Sequence, residues 1–215
     1  STFNDKDVAD ASTVTINSLT LVNGTDGGLA ANYSLATGQT DSAVITAKAL
    51  TAAATAANKA YDGNTTASST LALSGLIGSE TLTTSGVGST FNDKDVADAA
   101  TVTINSSTLV NGNYGGRAAN YSLATGQTDS AVITAKALTA AATAADKGYD
   151  GNTTASSSLA LSGLIGSETL TTSGVGSTFN DKDVADAATV TINSSTLVNG
   201  NYGGLAANYS LATGQ

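Results

Sequence analysis

The chain contains no Cys, His, Met, Trp or Pro. Without Cys there is neither a disulfide framework nor a thiolate metal site. Without an imidazole or a thiol, nucleophilic triads and zinc or copper centres lack their usual parts, and only carboxylate-based catalysis stays formally open. Basic residues are scarce as well: 8 Lys and Arg stand against 17 Asp and Glu, a net charge of −9. That balance opposes nucleic-acid binding, which needs a cationic face against phosphates. No apolar run approaches the ~18 residues that span a bilayer, so membrane insertion is not expected. Charged residues make up only 12% of the chain. A disordered chain usually combines low hydrophobicity with high net charge, and here the apolar residues follow a pattern instead. These absences point away from an enzyme and from a resident cofactor.

What the sequence does contain is repetition. The string STFNDKDVADA at Ser1 returns at Ser89 and Ser177 with a period of 88 residues and no insertion or deletion. Residues 1–88 and 89–176 differ at eight positions, among them Leu19/Ser107, Asp26/Tyr114, Leu29/Arg117 and Ala60/Gly148. Residues 89–127 differ from 177–215 only at Arg117/Leu205. A period this long identifies a tandem array.

The pattern within each repeat is β. Ser12 to Asn17 alternates apolar and polar residues, and Leu19-Thr20-Leu21 continues one residue out of phase, which predicts a bulge near Ser18. Asn23-Gly24, Asn111-Gly112 and Asn199-Gly200 predict tight hairpin turns. Asn32 to Leu35 and Ala43 to Thr46 read as strands. Ala47 to Ala57 combines a helix-forming residue with interleaved Thr and no charged pairs at helical spacing, so it reads as a strand. Tyr61-Asp62-Gly63-Asn64 reads as a turn, and Gly75 and Gly78 bracket another. The expected fold is all-β, a tandem array of small β-sandwich-like modules forming an elongated rod; a β-solenoid is the alternative, though no shorter period appears inside the repeat.

These residues resemble a known family. Ile133-Thr134-Ala135-Lys136-Ala137-Leu138-Thr139, Asp146-Lys147-Gly148-Tyr149-Asp150-Gly151-Asn152, Leu161-Ser162-Gly163-Leu164, Phe179-Asn180-Asp181-Lys182-Asp183-Val184 and Ala207-Asn208-Tyr209-Ser210-Leu211 together resemble the YDG repeat. That repeat is one of the mostly-β, glycine-rich modules of filamentous-haemagglutinin-like exoproteins of Gram-negative bacteria. Ala47 and Ala135 stand where the family commonly has Pro. The resemblance implies secretion, a cell-surface or matrix location and a stalk role, and it carries over no catalytic residue. In its register the chain divides into a half-module at 1–44, a complete module at 45–132 and a nearly complete one at 133–215. The half-module is expected to expose strand edges and apolar residues such as Phe3, Val14 and Ile16.

Several clusters invite sharper readings. Asp5, Asp7 and Asp10 recur as Asp93, Asp95 and Asp98 and as Asp181, Asp183 and Asp186. Such oxygen-rich strings suit Ca²⁺, although the Gly and distal Glu of a helix-loop-helix calcium loop are absent; a solvated turn balanced by Lys6 is the plain alternative. Glu80 and Glu168, the only glutamates, invite a Lys–Asn isopeptide bond with Lys48 or Lys59 as donor, but Glu80 reads as lying in an exposed turn. Asn32, Asn64 and Asn105 open glycosylation sequons. Tyr114 and Tyr202, beside the Asn-Gly turns, are the candidate exposed aromatics for a glycan.

The expected function is therefore structural: the stalk of a secreted bacterial adhesin or fibre, its partners being neighbouring repeats of the same chain. Two alternatives stand beside it. One is a matrix filament whose subunits, other copies of this chain, complete one another's strand edges. The other is a carbohydrate-binding module, for which no Trp platform exists.

Overall fold

The computed structural model describes residues 1–212, so the last three residues of the 133–215 module lie outside the described residues. The chain is all-β, with short 3₁₀ turns at Ala30–Asn32, Ala118–Asn120 and Ala206–Asn208. It forms several small sheets rather than a closed barrel.

Two compact units can be distinguished. The first comprises Ser1–Thr55, Thr70–Gly88 and Ile104–Gln127; the second comprises Ala56–Ser69, Ser89–Thr103 and Thr128–Gln215. Each combines pieces of consecutive 88-residue repeats.

In the second unit, strand Lys136–Ala144 sits between Ser157–Ser162, antiparallel, and Tyr209–Leu211, parallel. The alanines explain how this sheet packs: Ala140 and Ala142 face Leu161 and Leu159, so small side chains meet larger ones on that face, while Ala141 faces Ala160 on the other. Strand pairing overrides the helix preference of Ala because Thr and Ser occupy the solvent face between them. A second sheet orders Thr154–Ala155, Leu170–Phe179 and Val190–Asn199. Its register shifts where Gly176 meets Ser194, the counterpart of Ser18, so the bulge lies where the phase change predicts it. A two-stranded parallel ladder joins Lys59–Ala60 to Ile133–Thr134. Around these elements Tyr61, Phe91, Val102, Ile133, Leu138 and Tyr209 form the core.

In the first unit, Lys48–Ala56 takes Tyr121–Leu123 and Ser69–Ser74 as neighbours in the same topology. Its buried cluster is smaller, Leu50, Leu82 and Tyr121. Residues 1–44 contribute short strands at Thr2–Phe3, Thr13–Thr15 and Thr40–Ser42. Phe3 and Ile16 are exposed there, and Val14 is half-buried.

The Asn-Gly turns differ from expectation. The left-handed residues are Tyr114 and Gly115, and in the other repeats Asp26 and Gly27 or Tyr202 and Gly203. Asn111 instead accepts the Ala118 N–H at 2.7 Å. Gly112 serves close approach rather than turn geometry, since a Cβ there would lie 2.0 Å from the Thr81 carbonyl oxygen.

Candidate functional site at the repeat junction

The acidic string of each repeat folds mostly on itself. Asn92 accepts the N–H groups of Ala100 and Thr101 and donates to the Asp98 carbonyl, while Asp93 accepts the Asp95 N–H at 2.8 Å. These short-range bonds shape a loop that presents Asp95 and Val96 outward. Asn208, from the next repeat, reads both: its Oδ1 accepts the Val96 N–H at 2.8 Å and its Nδ2 donates to Asp95 Oδ1 at 2.7 Å. Asn208 is 0% exposed, so both halves of its amide must find partners within the protein, and they do. Lys94 donates to the same Asp95 oxygen at 2.7 Å. Burial opposes ionisation of Asp95, but the hydrogen bonds from Lys94 and Asn208 outweigh it and hold the carboxyl below its ordinary range.

Tyr61 stands beside this contact. Its hydroxyl donates to Glu168 Oε1 at 2.7 Å, and Tyr209 donates to the other oxygen of Glu168 at 2.6 Å. The two rings meet edge to face with centroids 5.3 Å apart, an arrangement favoured by the aromatic quadrupole. Tyr209 also accepts the Ile165 N–H at 3.0 Å. Burial, reinforced by Glu168, raises the Tyr61 hydroxyl pKa far above 10 and pushes that of Tyr209 up to about 12. Bonds donated by main-chain N–H groups complete the junction. Tyr61 N–H donates to Thr134 O at 2.8 Å, and Val132 N–H donates to Asn58 Oδ1 at 2.8 Å.

The first unit repeats part of this pattern 88 residues earlier. Asn120 accepts the Val8 N–H at 2.8 Å and donates to Asp7 Oδ1 at 2.7 Å. Tyr121 donates to Glu80 and accepts the Ile77 N–H. Hydrogen bonds from Lys6 and Asn120, against the opposing effect of burial, hold the Asp7 carboxyl below its ordinary range. Arg117 adds ion pairs to Asp7 at 3.2 Å and to Asp10 at 3.5 Å. Its counterpart Leu205 brings no charge to Asp95 and Asp98.

Of the aspartates singled out for calcium, the structure brings carboxylate oxygens of Asp5, Asp7 and Asp10 within 4.8 Å of one another. Among the described residues, Asp93, Asp95 and Asp98 and Asp181, Asp183 and Asp186 form no such group. The donor set fits a dication poorly even in the first unit, because Lys6, Asn120 and Arg117 already engage Asp7. The isopeptide arrangement does not assemble. Glu80 is half-buried rather than in an exposed turn and binds Tyr121; Lys48 donates to the Gly75 carbonyl, and Lys59 donates to Asp62 and Asn64. Tyr114 and Tyr202 are each 78% exposed, single rings at turn tips.

Of the junction residues, Asn208 and Tyr209 went unread as a site in the sequence, and Tyr61 was read there within a loop whose structural role as a turn outweighed contact with a ligand. The available signal was the single Glu per complete repeat, a strong hydrogen-bond acceptor in a chain otherwise dominated by Ala, Thr, Ser and Gly.

The fold and its junctions define a class, small all-β modules in tandem whose contacts recur with the sequence period. The YDG domain family matches residues 46–130 and 134–215, and the chain belongs to that family. Comparison with curated proteins and with solved structures yields no match.

Proposed function

We propose that the chain is a structural repeat segment, the shaft of a secreted bacterial surface adhesin or extracellular fibre. The supporting observation is that hydrogen-bonding capacity concentrates at the junction between repeats: Tyr61, Glu168, Tyr209, Asp95 and Asn208 spend their polar groups on one another. A ligand-binding or catalytic protein keeps such groups available for a substrate; here they join one repeat to the next. An array built this way adds a constant increment per repeat, because the residues that make the junction recur with the sequence period. The acidic surface keeps neighbouring chains apart at low ionic strength.

The test is to build chains with successive numbers of the 88-residue repeat and measure the distance between labels at the two termini. Equal increments are expected. A distance that levels off as repeats are added would sink the shaft reading. For location, antibody or protease accessibility on intact producing cells should report the repeats outside; material confined to the cytoplasm would overturn it.

A further inference from the structure

We propose that the Asn113-Tyr114 turn, repeated as Asn201-Tyr202, is a binding site for an uncharged polysaccharide, the tyrosine ring stacking on a sugar face and the asparagine amide bonding sugar hydroxyls. The site goes beyond the shaft reading and does not depend on it.

The backbone at this turn is costly for a tyrosine. Tyr114 and Tyr202 have φ 55° and 56°, in the left-handed region that Gly, Asn and Asp tolerate and a bulky side chain does not. In the first repeat the same place holds Asp26 at φ 58°, so the turn forms without an aromatic ring. The surroundings impose the geometry. Asn113 N–H donates to Thr81 Oγ1 at 2.8 Å, Thr81 N–H donates to Asn113 O at 3.2 Å, and Gly112 N–H donates to Gly116 O at 3.0 Å. The turn of the next repeat makes the same three bonds through Thr169, at 2.7, 3.2 and 3.0 Å. Gly116 is pressed on this partner as Gly112 is, for a Cβ there would stand 2.1 Å from the Thr81 carbonyl oxygen. Strain that the surroundings hold in place in this way gathers where a side chain meets a ligand.

The strained residue repays nothing inside the protein. Both rings are 78% exposed, and among the described residues no hydrogen bond holds either hydroxyl. Tyr33 and Tyr149 are exposed as well, but they are the counterparts of Tyr121 and Tyr61, which are buried; Tyr114 and Tyr202 have no buried counterpart. Tyr202 belongs to a repeat whose Glu168 accepts both Tyr61 and Tyr209, Tyr114 to one whose Glu80 accepts Tyr121, and the exposure is the same. Closing the junction therefore leaves this ring free.

Ring and amide arrive together. Thr25-Asp26 of the first repeat is replaced by Asn113-Tyr114 in the second and Asn201-Tyr202 in the third. Asn113 and Asn201 are exposed, and among the described residues their side-chain amides make no hydrogen bond. An aromatic face beside a free amide matches a pyranose, which has an apolar C–H face and a rim of hydroxyls. Tyr gives such contact at low cost in side-chain entropy, and the turn is already fixed. Charge narrows the class. At −9 the chain repels polyanions, other copies of itself included, so the ligand is uncharged. β-Linked glucans fit, because their equatorial hydroxyls leave flat C–H faces that one ring covers. A polymer of equivalent sugars also lets weak sites on successive repeats add.

Affinity electrophoresis in native gels cast with hydroxyethylcellulose, laminarin or alginate tests this, with serum albumin as the mobility standard. The parent chain should be retarded by at least one of the two uncharged glucans and not by the polyanion alginate. Tyr114→Asn and Tyr202→Asn keep the charge and suit the left-handed backbone; each should lose part of the retardation, and the double variant all of it. The double Tyr→Phe variant should keep most of it, since the ring does the stacking. Thermal melts of the Asn variants should match or exceed that of the parent chain, because the strain is relieved. A parent chain that migrates freely in both glucan gels, retardation by alginate, a double Asn variant retarded like the parent, or a double Phe variant that migrates freely would each overturn the proposal. So would a lower melting temperature in Tyr114→Asn, which would assign the ring a structural role. Any of these failures leaves the label-distance test of the shaft reading standing.

Discussion

Tyr61 and Tyr149 occupy the same place in the same Tyr-Asp-Gly-Asn motif, yet one is 2% exposed and the other 65%. Phe91 at 3% and Phe3 at 39% differ in the same way. The sequence around each pair is nearly unchanged, so the difference comes from what stands over it. In the second unit the Tyr61 loop, the Asp95 loop and the elements of the following repeat close on one another around a continuous core. In the first unit, among the described residues, no Tyr-Asp-Gly loop stands over Glu80 and Tyr121, and the buried cluster shrinks to Leu50, Leu82 and Tyr121. The core therefore belongs as much to the junction as to the repeat. A repeat of this kind draws much of its stability from its neighbour, as expected of an array with nearest-neighbour coupling.

The most direct way to break the comparison is to truncate the two tyrosines. Tyr61→Ala should cost about 3–5 kcal/mol, the range for removing a large buried aromatic, and it also strips Glu168 of one donor. Tyr149→Ala should change stability by less than about 0.5 kcal/mol, as surface substitutions do. Urea unfolding of the two variants decides the matter; equal losses would mean that coverage by the next repeat is not what buries Tyr61. The amide gives a second contrast. Asn208→Ala leaves the Val96 N–H without its acceptor and Asp95 without one donor, a loss of about 1–3 kcal/mol for a buried polar group. Asn32→Ala, the same residue on the exposed 3₁₀ turn of the half-module, should be close to neutral.

Local pattern carried much of the fold and little of this contrast. Lys48–Ala56 is legible as a strand because Thr alternates with Ala, and the bulge near Ser194 follows from a phase change in the apolar pattern. The Asn-Gly turns misled, since Asn111 is committed to the Ala118 N–H and the left-handed positions fall on Tyr114-Gly115. Glu80 read as exposed because its neighbours Gly78 and Ser79 are turn residues; its tyrosine partner lies 41 positions away. The junction was the least legible part. Asn208 meets Asp95 across 113 residues and Val96 across 112. A period states that repeats are equivalent, but not which face of one meets which face of the next. The YDG resemblance located the repeat and was silent on its contacts.

Acidity sharpens the comparison from both ends of the scale. The Asp95 carboxyl lies below its ordinary value of 3.8. A depressed carboxyl stabilises the fold above the unfolded pKa, so this contribution should hold above about pH 4 and fade as pH falls through the lower folded value. Tyr209 has the opposite sense. Its contribution is complete below 10.0 and is lost as pH rises through about 12. Denaturation midpoints across the pH range should show both flanks, and Tyr61→Phe should shrink the alkaline one. An alkaline flank unchanged in that variant would show that the Tyr61 hydroxyl carries none of it.

The smallest expected effect concerns one residue that differs between the two junctions, Arg117 against Leu205. Arg117 reaches Asp7 and Asp10 from a side chain that is itself 55% exposed, and ion pairs at such a rim contribute little and are screened by salt. Arg117→Leu should lower stability slightly at low ionic strength, with the loss fading toward ~0.15 M, where the Debye length is about 8 Å. The same substitution removes the guanidinium that holds Asp7 and Asp10, two members of the Asp5, Asp7 and Asp10 set that is, among the described residues, the one group of carboxylates brought close enough to share an ion. Calcium should therefore leave the melting temperature of the parent chain unchanged and raise that of Arg117→Leu. A calcium response in the parent chain, with Arg117 in place, would show that the guanidinium does not guard these oxygens and would return the aspartate loop to the status of a metal site.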